Sequence, residues 1–393
     1  MNLAASEPVY PFSSCHEYFE RRTCMLLITH GCNLNCTYCY EKFKNGSKKM
    51  DISLAKKIIH EEIEIVKNDK RFKELEIDFM GGEPLLRFDL IKEIVEWMET
   101  SNHNIPFICF ASTNGTLISE EMKTWFRNHR KTMVLGISYD GIENAQNINR
   151  GEQAKNIDLD FFCKTWPFQG FKMTISKNSL HHLYDSFFFA HKNGYKVIAS
   201  LAQGEEWNNA DAKIFYEQLC LLKNYYLENP EHHPCNFLTR PLTFIGSPKI
   251  LQSKFCGSGT YMATYDTDGS MYGCHMFTPL VLGNRAMKHQ DFNGWEDEQQ
   301  MTDNDCRGCG LLNWCPTCIG FNMLDRNSIN KRDRRWCAMN AAEAMAACQY
   351  QLEYFLKEIN YRTLNDHEIF VLNDALNAYR YLSSIDIQKE FPQ

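Results

Sequence analysis

Ten cysteines of this chain fall into two groups, and their spacing constrains the fold more than any other feature. Cys32, Cys36 and Cys39 follow the first apolar run in the order C-x3-C-x2-C. Cys256, Cys274, Cys306, Cys309, Cys315, Cys318 and Cys337 occupy the last third of the chain. In all there are 17 cysteines in 393 residues. Met1 to Glu7 shows no basic start leading into a long apolar stretch, so no secretory signal is expected. No apolar run approaches the roughly 18–20 residues that span a bilayer. The expected compartment is the cytoplasm, where disulfides are rare and clustered thiols serve metals or catalysis. Cys15, Cys24, Cys109, Cys163, Cys220 and Cys348 stand singly and read as small buried hydrophobes. Cys235 is open to either reading.

The chain between the two groups alternates. Short apolar runs at 25–28, 75–79, 107–110, 133–137, 171–175 and 196–201 read as strands. Stretches at 53–66, 90–98, 119–126, 180–191 and 211–226 carry apolar residues near a 3.6-residue period and read as helices. Strands alternating with helices predict parallel βα units. The predicted class is α/β, a partial (β/α)6 barrel of the TIM type, with function at the C-terminal ends of the strands. Hydrophobic residues at 44% and charged residues at 23% exclude a disordered chain. A net charge of −7 without a dominant basic patch argues against nucleic acid as a partner.

After Pro230 the alternation stops. Residues 231–255 contain three prolines and read as a connection. A hairpin is expected from 262–265 to 270–272 about Asp268-Gly269. Residues 302–337 are polar and weakly periodic, as a loop region organised by metal would be. Met345, Cys348, Leu352 and Phe355 form a helical stripe, and a last helix is expected over 367–381. The division into units is 1–23, an N-terminal segment; 24–235, the barrel; 236–340, the cysteine-rich domain; and 341–393, C-terminal helices.

Three thiolates can hold three irons of a [4Fe–4S] cluster and leave the fourth without a protein ligand. An open iron permits chemistry, whereas a closed site can only pass electrons. Zinc is the competing reading, with His30 as a conceivable fourth ligand. The motif, its place after the first strand and Tyr38 before the last cysteine resemble radical S-adenosylmethionine (SAM) enzymes. Phe79-Met80-Gly81-Gly82-Glu83-Pro84 is similar to that family's GGE motif, so the resemblance implies that Gly81, Gly82 and Glu83 hold the SAM amino group. It also implies that Ser138 and Arg150 contact the ribose and carboxylate; an arginine fork suits a carboxylate. Tyr38 and Ser112, the latter at the end of the third strand, join the implied SAM contacts. Leu201 matches a position that packs on the adenine, with strand core as its plain alternative.

The second group resembles a SPASM domain. Cys256 and Cys274 flank the hairpin as C-x12-G-x4-C, followed by Cys306-x2-Cys309-x5-Cys315-x2-Cys318 and a lone Cys337. The resemblance implies two auxiliary [4Fe–4S] clusters, three clusters in total. One would use Cys256, Cys274 and Cys318, with Cys235 or an open iron completing it. The other would use Cys306, Cys309, Cys315 and Cys337. Two residues separate Cys315 from Cys318, where the family has three.

SPASM enzymes mostly modify peptides or proteins. Sulfatase maturases carry an Asp after the second SPASM cysteine as proton acceptor; His275 stands there instead and is the implied base. The stretches 159–167 and 172–176 resemble maturases of Cys-repeat peptides. The implied function is installation of a cross-link, a Cys thioether foremost, in a ribosomally made precursor peptide. Carbon–carbon cross-linking, epimerisation and formylglycine formation are the enzymatic alternatives, and a zinc scaffold the non-enzymatic one. Implied partners are the precursor peptide, a separate leader-binding protein and a flavodoxin- or ferredoxin-type electron donor, with no membrane.

Overall fold

The computed structural model describes residues 20–243, 245–246, 256–297, 299–315 and 317–385. Cys15 and most of the N-terminal segment lie outside the described residues, as does the stretch 247–255.

All six expected strands form. They are β1 (Arg21–His30), β3 (Glu74–Gly81), β4 (Phe107–Thr113), β5 (Met133–Ile137), β6 (Phe171–Ile175) and β7 (Val197–Leu201). β5, β4, β3 and β1 lie side by side in that order, all parallel. β6 and β7 form their own parallel pair, joined to β5 by a bridge between Ser138 and Lys172. The helices between them are α1 (Ile52–Asn68), α2 (Phe88–Thr100), α3 (Glu120–Asn128), α4 (Glu143–Arg150), α5 (Leu159–Thr165), α6 (Leu183–Lys192) and α7 (Asn209–Glu228). Right-handed βα crossovers cover the outer face of such a sheet and leave its inner face as a lumen. β3 shows the division clearly. Leu75, Ile77 and Phe79 are fully buried in the core, while Glu76, Asp78 and Met80 alternate with them.

Local chemistry sets the helix starts. Asp51 accepts from the Ser53 and Leu54 amides ahead of α1, and Asn208 and Asp211 form a capping box on α7. From α1 the residues Ala55, Ile58, Ile59, Ile63 and Val66 face the core.

One strand lies outside the expectation. β2 (Asn45–Lys49) is exposed along its whole length and pairs antiparallel with the end of β1. The expected hairpin is present as β8 (Met262–Tyr265) and β9 (Met271–Tyr272). It does not stand apart, however. β8 pairs in parallel with β1, so residues assigned from sequence to the second domain continue the barrel sheet.

Two buried contacts fasten that junction. Arg22 donates to both Glu62 oxygens at 2.6 and 2.9 Å, and the Tyr265 hydroxyl donates to Glu62 at 2.6 Å. His30 Nε2 lies 2.5 Å from Asp266 Oδ1, with His30 only 1% exposed. α1, β1 and β8 thus share one ion pair, and the turn after β8 holds the end of β1.

The last third is more ordered than its polarity suggests. Within 302–337, α9 (Ile319–Arg326) forms, burying Ile319 and Phe321. It follows the four-residue α8 (Pro279–Leu282), and both pack around Phe277, Met301 and Trp295. α10 (Trp336–Glu358) and α11 (Asp366–Ser384) close the fold. Of the expected stripe, Cys348 and Phe355 are buried, and Met345 and Leu352 are partly so. Ala341, Ala344 and Ala347 meet Ala375 and Ala378, small residues that let the two helices approach closely. Among the described residues no helix is long and apolar enough to cross a membrane.

Glu62→Ala would leave the Arg22 guanidinium buried without its carboxylate, a loss of about 3 kcal/mol or more. Urea unfolding of the variant should show a lower midpoint of about that size. An unchanged midpoint would mean the pair does not fasten β8 to the barrel.

Candidate functional site

The site begins where β1 ends. After His30 the chain turns at Gly31 into the loop that carries Cys32, Cys36 and Cys39. Tethers on two sides hold that loop over the strand ends. The Thr37 amide donates to the Asn149 carbonyl on α4 at 2.9 Å, and Asn114 Nδ2, beyond β4, donates to Asn33 Oδ1 at 2.9 Å. Lys44 Nζ donates to the Leu34 carbonyl at 3.0 Å.

The Gly81-Gly82 turn after β3 packs directly against this loop. The Gly82 amide donates to the Thr29 carbonyl at 3.2 Å, and the Glu83 amide to the Gly31 carbonyl at 2.9 Å. A Cβ on Gly81 would strike the Thr29 carbonyl oxygen, and one on Gly82 would strike that of Gly31. Only glycine lets the two backbones meet here. Glu83 is 1% exposed. Its carboxylate accepts from the Leu85 amide at 3.0 Å, the Thr113 hydroxyl at 2.7 Å and the Asn114 amide at 2.8 Å. Burial raises its proton affinity, and those three donors work against the rise.

A cavity of about 370 Å³ lies below the loop. Cys32, Cys36, Cys39, Tyr38, Gly81, Gly82, Glu83, Ser112, Ser138, Arg150 and His275 all line it. Leu201 does not; it is 5% exposed within the main core, so the structure places it as strand packing. Arg150 forks onto Asp140, with Nε at 2.9 Å and Nη2 at 3.1 Å, which leaves Nη1 outside that pair. Asp140 also accepts from the Tyr38 hydroxyl at 2.7 Å and the Thr174 amide at 2.9 Å. The guanidinium carbon stands 5.4 Å from the Tyr38 ring centre. Burial works against the charge on Arg150, and Asp140 more than offsets it.

His275 faces the cavity from the C-terminal part. Its Nε2 lies 3.1 Å from the Tyr40 hydroxyl and its Nδ1 lies 3.6 Å from Cys274 Sγ. Burial, with Lys172 adding to it, pushes the imidazole down to about 4, so it is neutral at physiological pH.

The other seven thiols lie in the C-terminal part, with neighbours among themselves. Burial raises Cys274 and Cys318, and both also feel Cys256. Burial pushes Cys337 up to about 12, with Cys315, Cys306 and Cys309 as neighbours. Cys306 accepts from Arg334 at 3.4 Å and Cys315 from Asn340 at 3.3 Å. Cys235 is 3% exposed in the main core beside Phe237 and Leu238 and packs as a small hydrophobe. His30 is committed to Asp266, so it is not available as a fourth ligand to the first three thiols. Among the described residues no three His, Cys, Asp or Glu side chains converge as the ligands of one ion do. A four-iron cube holds its thiolates further apart than a zinc ion does, and a soft all-thiol donor set suits it.

Several cavity residues lay outside the sequence reading, Tyr40, Glu41, Lys44, Asp78 and Lys172, as did Asp140, which holds Arg150 from behind. For Asp78 and Lys172 a signal existed, since each alternates with core residues on its strand. Among the described residues Asp78 has no hydrogen-bond or ion-pair partner, and removal from solvent pushes its carboxyl up to about 7.

Residues 26–156 match the Radical SAM superfamily. An uncharacterized protein of Methanocaldococcus jannaschii is 39% identical over 119 residues, covering 30% of this chain and 38% of that protein. A cysteine-type anaerobic sulfatase-maturating enzyme of Clostridium perfringens is 28% identical over 138 residues, 34% of this chain and 36% of the enzyme. The chain thus spans little more than a third of the length of these curated relatives. Among solved structures, native anSMEcpe with bound AdoMet and Kp18Cys peptide aligns with a TM-score of 0.61 at 16% identity, over 87% of this chain and 100% of that one. SuiB of Streptococcus suis bound to precursor peptide SuiA aligns at 0.53 and 15% identity, over 81% and 77%. These likenesses establish a common α/β fold.

Two outcomes follow from the geometry. Gly82→Ala should abolish SAM binding measured by calorimetry, because the turn cannot then meet Gly31; retained binding would contradict the close approach. The Asp78 carboxyl is raised above its unfolded value of 3.8. It therefore favours the folded state least when charged, and stability should fall as pH climbs from about 4 to about 7. Asp78→Asn should flatten that fall in urea unfolding at pH 4.5 and pH 8, and an identical pH dependence in both proteins would contradict the assignment.

Proposed function

The chain carries a radical SAM domain across residues 26–156, and from that premise we propose that it is a radical SAM/SPASM maturase that cross-links a peptide. The reading rests on one observation: three closely spaced thiols, the Gly-Gly-Glu turn and Arg150, which Asp140 holds, line one cavity at the C-terminal end of a parallel barrel.

In this reading Cys32, Cys36 and Cys39 hold the first cluster and leave one iron for SAM. When bound, the cluster and SAM supply a 5′-deoxyadenosyl radical that removes hydrogen from an unactivated C–H bond. The residues of the chain do the rest. The Gly81-Gly82 backbone and Glu83 receive the SAM amino group. Tyr38, Ser112, Ser138 and Arg150 surround the ribose and carboxylate. Asp140 holds Arg150 in register, so the arginine arrives already oriented and its free edge faces the cavity. The barrel wall keeps solvent from the radical. Cys256, Cys274 and Cys318 form one auxiliary set, and Cys306, Cys309, Cys315 and Cys337 the other. His275, beside Cys274, faces the cavity where a substrate proton would be released.

Peptide chemistry is favoured by the two solved neighbours that hold a peptide, anSMEcpe with Kp18Cys and SuiB with SuiA. The bond formed is assigned as a Cys thioether. Anaerobically purified protein should contain about twelve irons per chain, as three four-iron clusters require. Changing Cys32, Cys36 and Cys39 together to Ala should lower this to about eight and abolish 5′-deoxyadenosine formation. Persistent 5′-deoxyadenosine, or zinc in place of iron, would overturn the reading. Mass spectrometry of a co-expressed neighbouring small peptide tests the bond. Loss of about two daltons per site with the thiol consumed supports a thioether. Loss of two daltons with thiols intact, or an aldehyde trapped by a hydrazide, would replace the thioether with a carbon cross-link or a formylglycine.

A further inference from the structure

The barrel has a second opening. A cavity of about 840 Å³ lies at the end opposite the cysteine loop. Arg21, Glu76, Ile108, Val134 and Ile198 line it, and each stands within the first three residues of its strand. This is the N-terminal mouth of the barrel. Asp78 and Lys172 line this cavity and also the one beneath the cysteine loop. The two cavities therefore meet at this acid and this ammonium.

Lys172 draws on the Asp78 charge without forming an ion pair with it. Among the described residues Asp78 accepts no hydrogen bond and joins no ion pair. Lys172 Nζ donates to Ser112 Oγ at 2.9 Å and lies 5.0 Å from the Phe110 ring centre, with no carboxylate of the described residues within ion-pair reach. At the mouth Arg21 bonds Glu74 at 2.5 Å and Glu76 at 3.0 Å, and Arg130 and Lys131 also line the opening. A carboxylate partly withdrawn from water with no partner is costly to the folded protein. Such groups mark sites that a ligand completes.

We propose that Asp78 and Lys172 are substrate-positioning groups that grip a backbone amide of a peptide segment entering through the N-terminal mouth. This deepens the maturase reading and rests on it. The signs of the two groups select the ligand. A substrate group with a single charge would meet one attractive and one repulsive neighbour. An amide offers an N–H for Asp78 to accept and a C=O for Lys172 to bond, and an extended segment presents both along its edge. Half-exposed apolar side chains at the mouth, Ile198 at 52% and Phe168 at 63%, supply contact for the flanking residues. The segment would then lead toward the cavity that Ser112, Ser138 and Arg150 share with the cysteine loop.

The test uses the reconstituted, reduced enzyme with SAM and a library of capped peptides, acetyl-X3-Cys-X3-amide. The member that wild type converts fastest is then used singly. Modified peptide formed per 5′-deoxyadenosine should fall about tenfold in Asp78→Asn and in Lys172→Met, the effect of losing one charged hydrogen-bond partner of the substrate. A folding defect would lower both products together and leave that ratio unchanged. Lys172→Arg should recover much of the ratio. Ile198→Trp, at the mouth alone, should raise the KM for the peptide far more than it lowers kcat. An unchanged ratio in Asp78→Asn and Lys172→Met, or an unchanged KM in Ile198→Trp, would overturn the inference while leaving the maturase reading in place. Wild type that cleaves SAM but modifies no library member would instead count against the peptide reading and remove the inference with it.

Discussion

The contact on which the site depends is made between two pieces of backbone. Gly82 and Glu83 donate to the carbonyls of Thr29 and Gly31, at a separation that no Cβ permits. This single approach seats the cysteine loop against the end of β3. It also fixes Glu83, whose carboxylate is held by donors from its own turn and from the end of β4. Three strand ends are thereby drawn to one point, and the cavity forms beneath them. Parallel sheets place function at such ends because every strand delivers a loop there. Here the glycines let two of those loops touch.

The C-terminal part is bound to the same frame. β8 extends the barrel sheet along β1, and its two fastenings differ in kind. Arg22, Glu62 and Tyr265 form a buried, fully hydrogen-bonded ion pair at one end of β1. His30 and Asp266 lie at the other end, one residue before the cysteine loop begins. Any shift of the hairpin would thus be felt at Gly31 and Cys32. The same hairpin leads to Cys274 and His275, so the first thiol set and the second are built on neighbouring strands of one sheet.

Much of this was legible in sequence, and the rest was hidden for identifiable reasons. The six barrel strands are apolar runs whose burial dictates their structure, and the cysteine spacings survive any uncertainty in the helices. β2 was not legible, because Asn-Gly-Ser-Lys-Lys has no apolar face and is held by pairing alone. α4 was hidden for the opposite reason. It buries Gln146, whose Oε1 accepts from the Asp140 amide, and Asn149, which bonds Asp140, Ser176 and the Thr174 carbonyl. Such burial leaves no apolar period to read. Asp140, which orients Arg150, is silent in sequence because its role exists only after β5, α4 and β6 meet. Asp78 and Lys172 alternate with core residues, as solvent-facing positions on an open sheet also do. Only closure of the barrel makes them line its two cavities. The parallel pairing of β8 with β1 joins residues more than 230 apart and leaves no local trace.

The central claim is that Cys32, Cys36 and Cys39 leave an iron open for SAM in the cavity that Glu83 and Arg150 line. Electron paramagnetic resonance of the reduced protein, recorded with and without SAM, tests it most directly. A variant with the seven C-terminal cluster cysteines changed to Ala isolates the signal of the first cluster. The account predicts one [4Fe–4S] signal whose g-values shift when SAM is added. A spectrum that SAM leaves unchanged, from protein that still holds four irons, would contradict it.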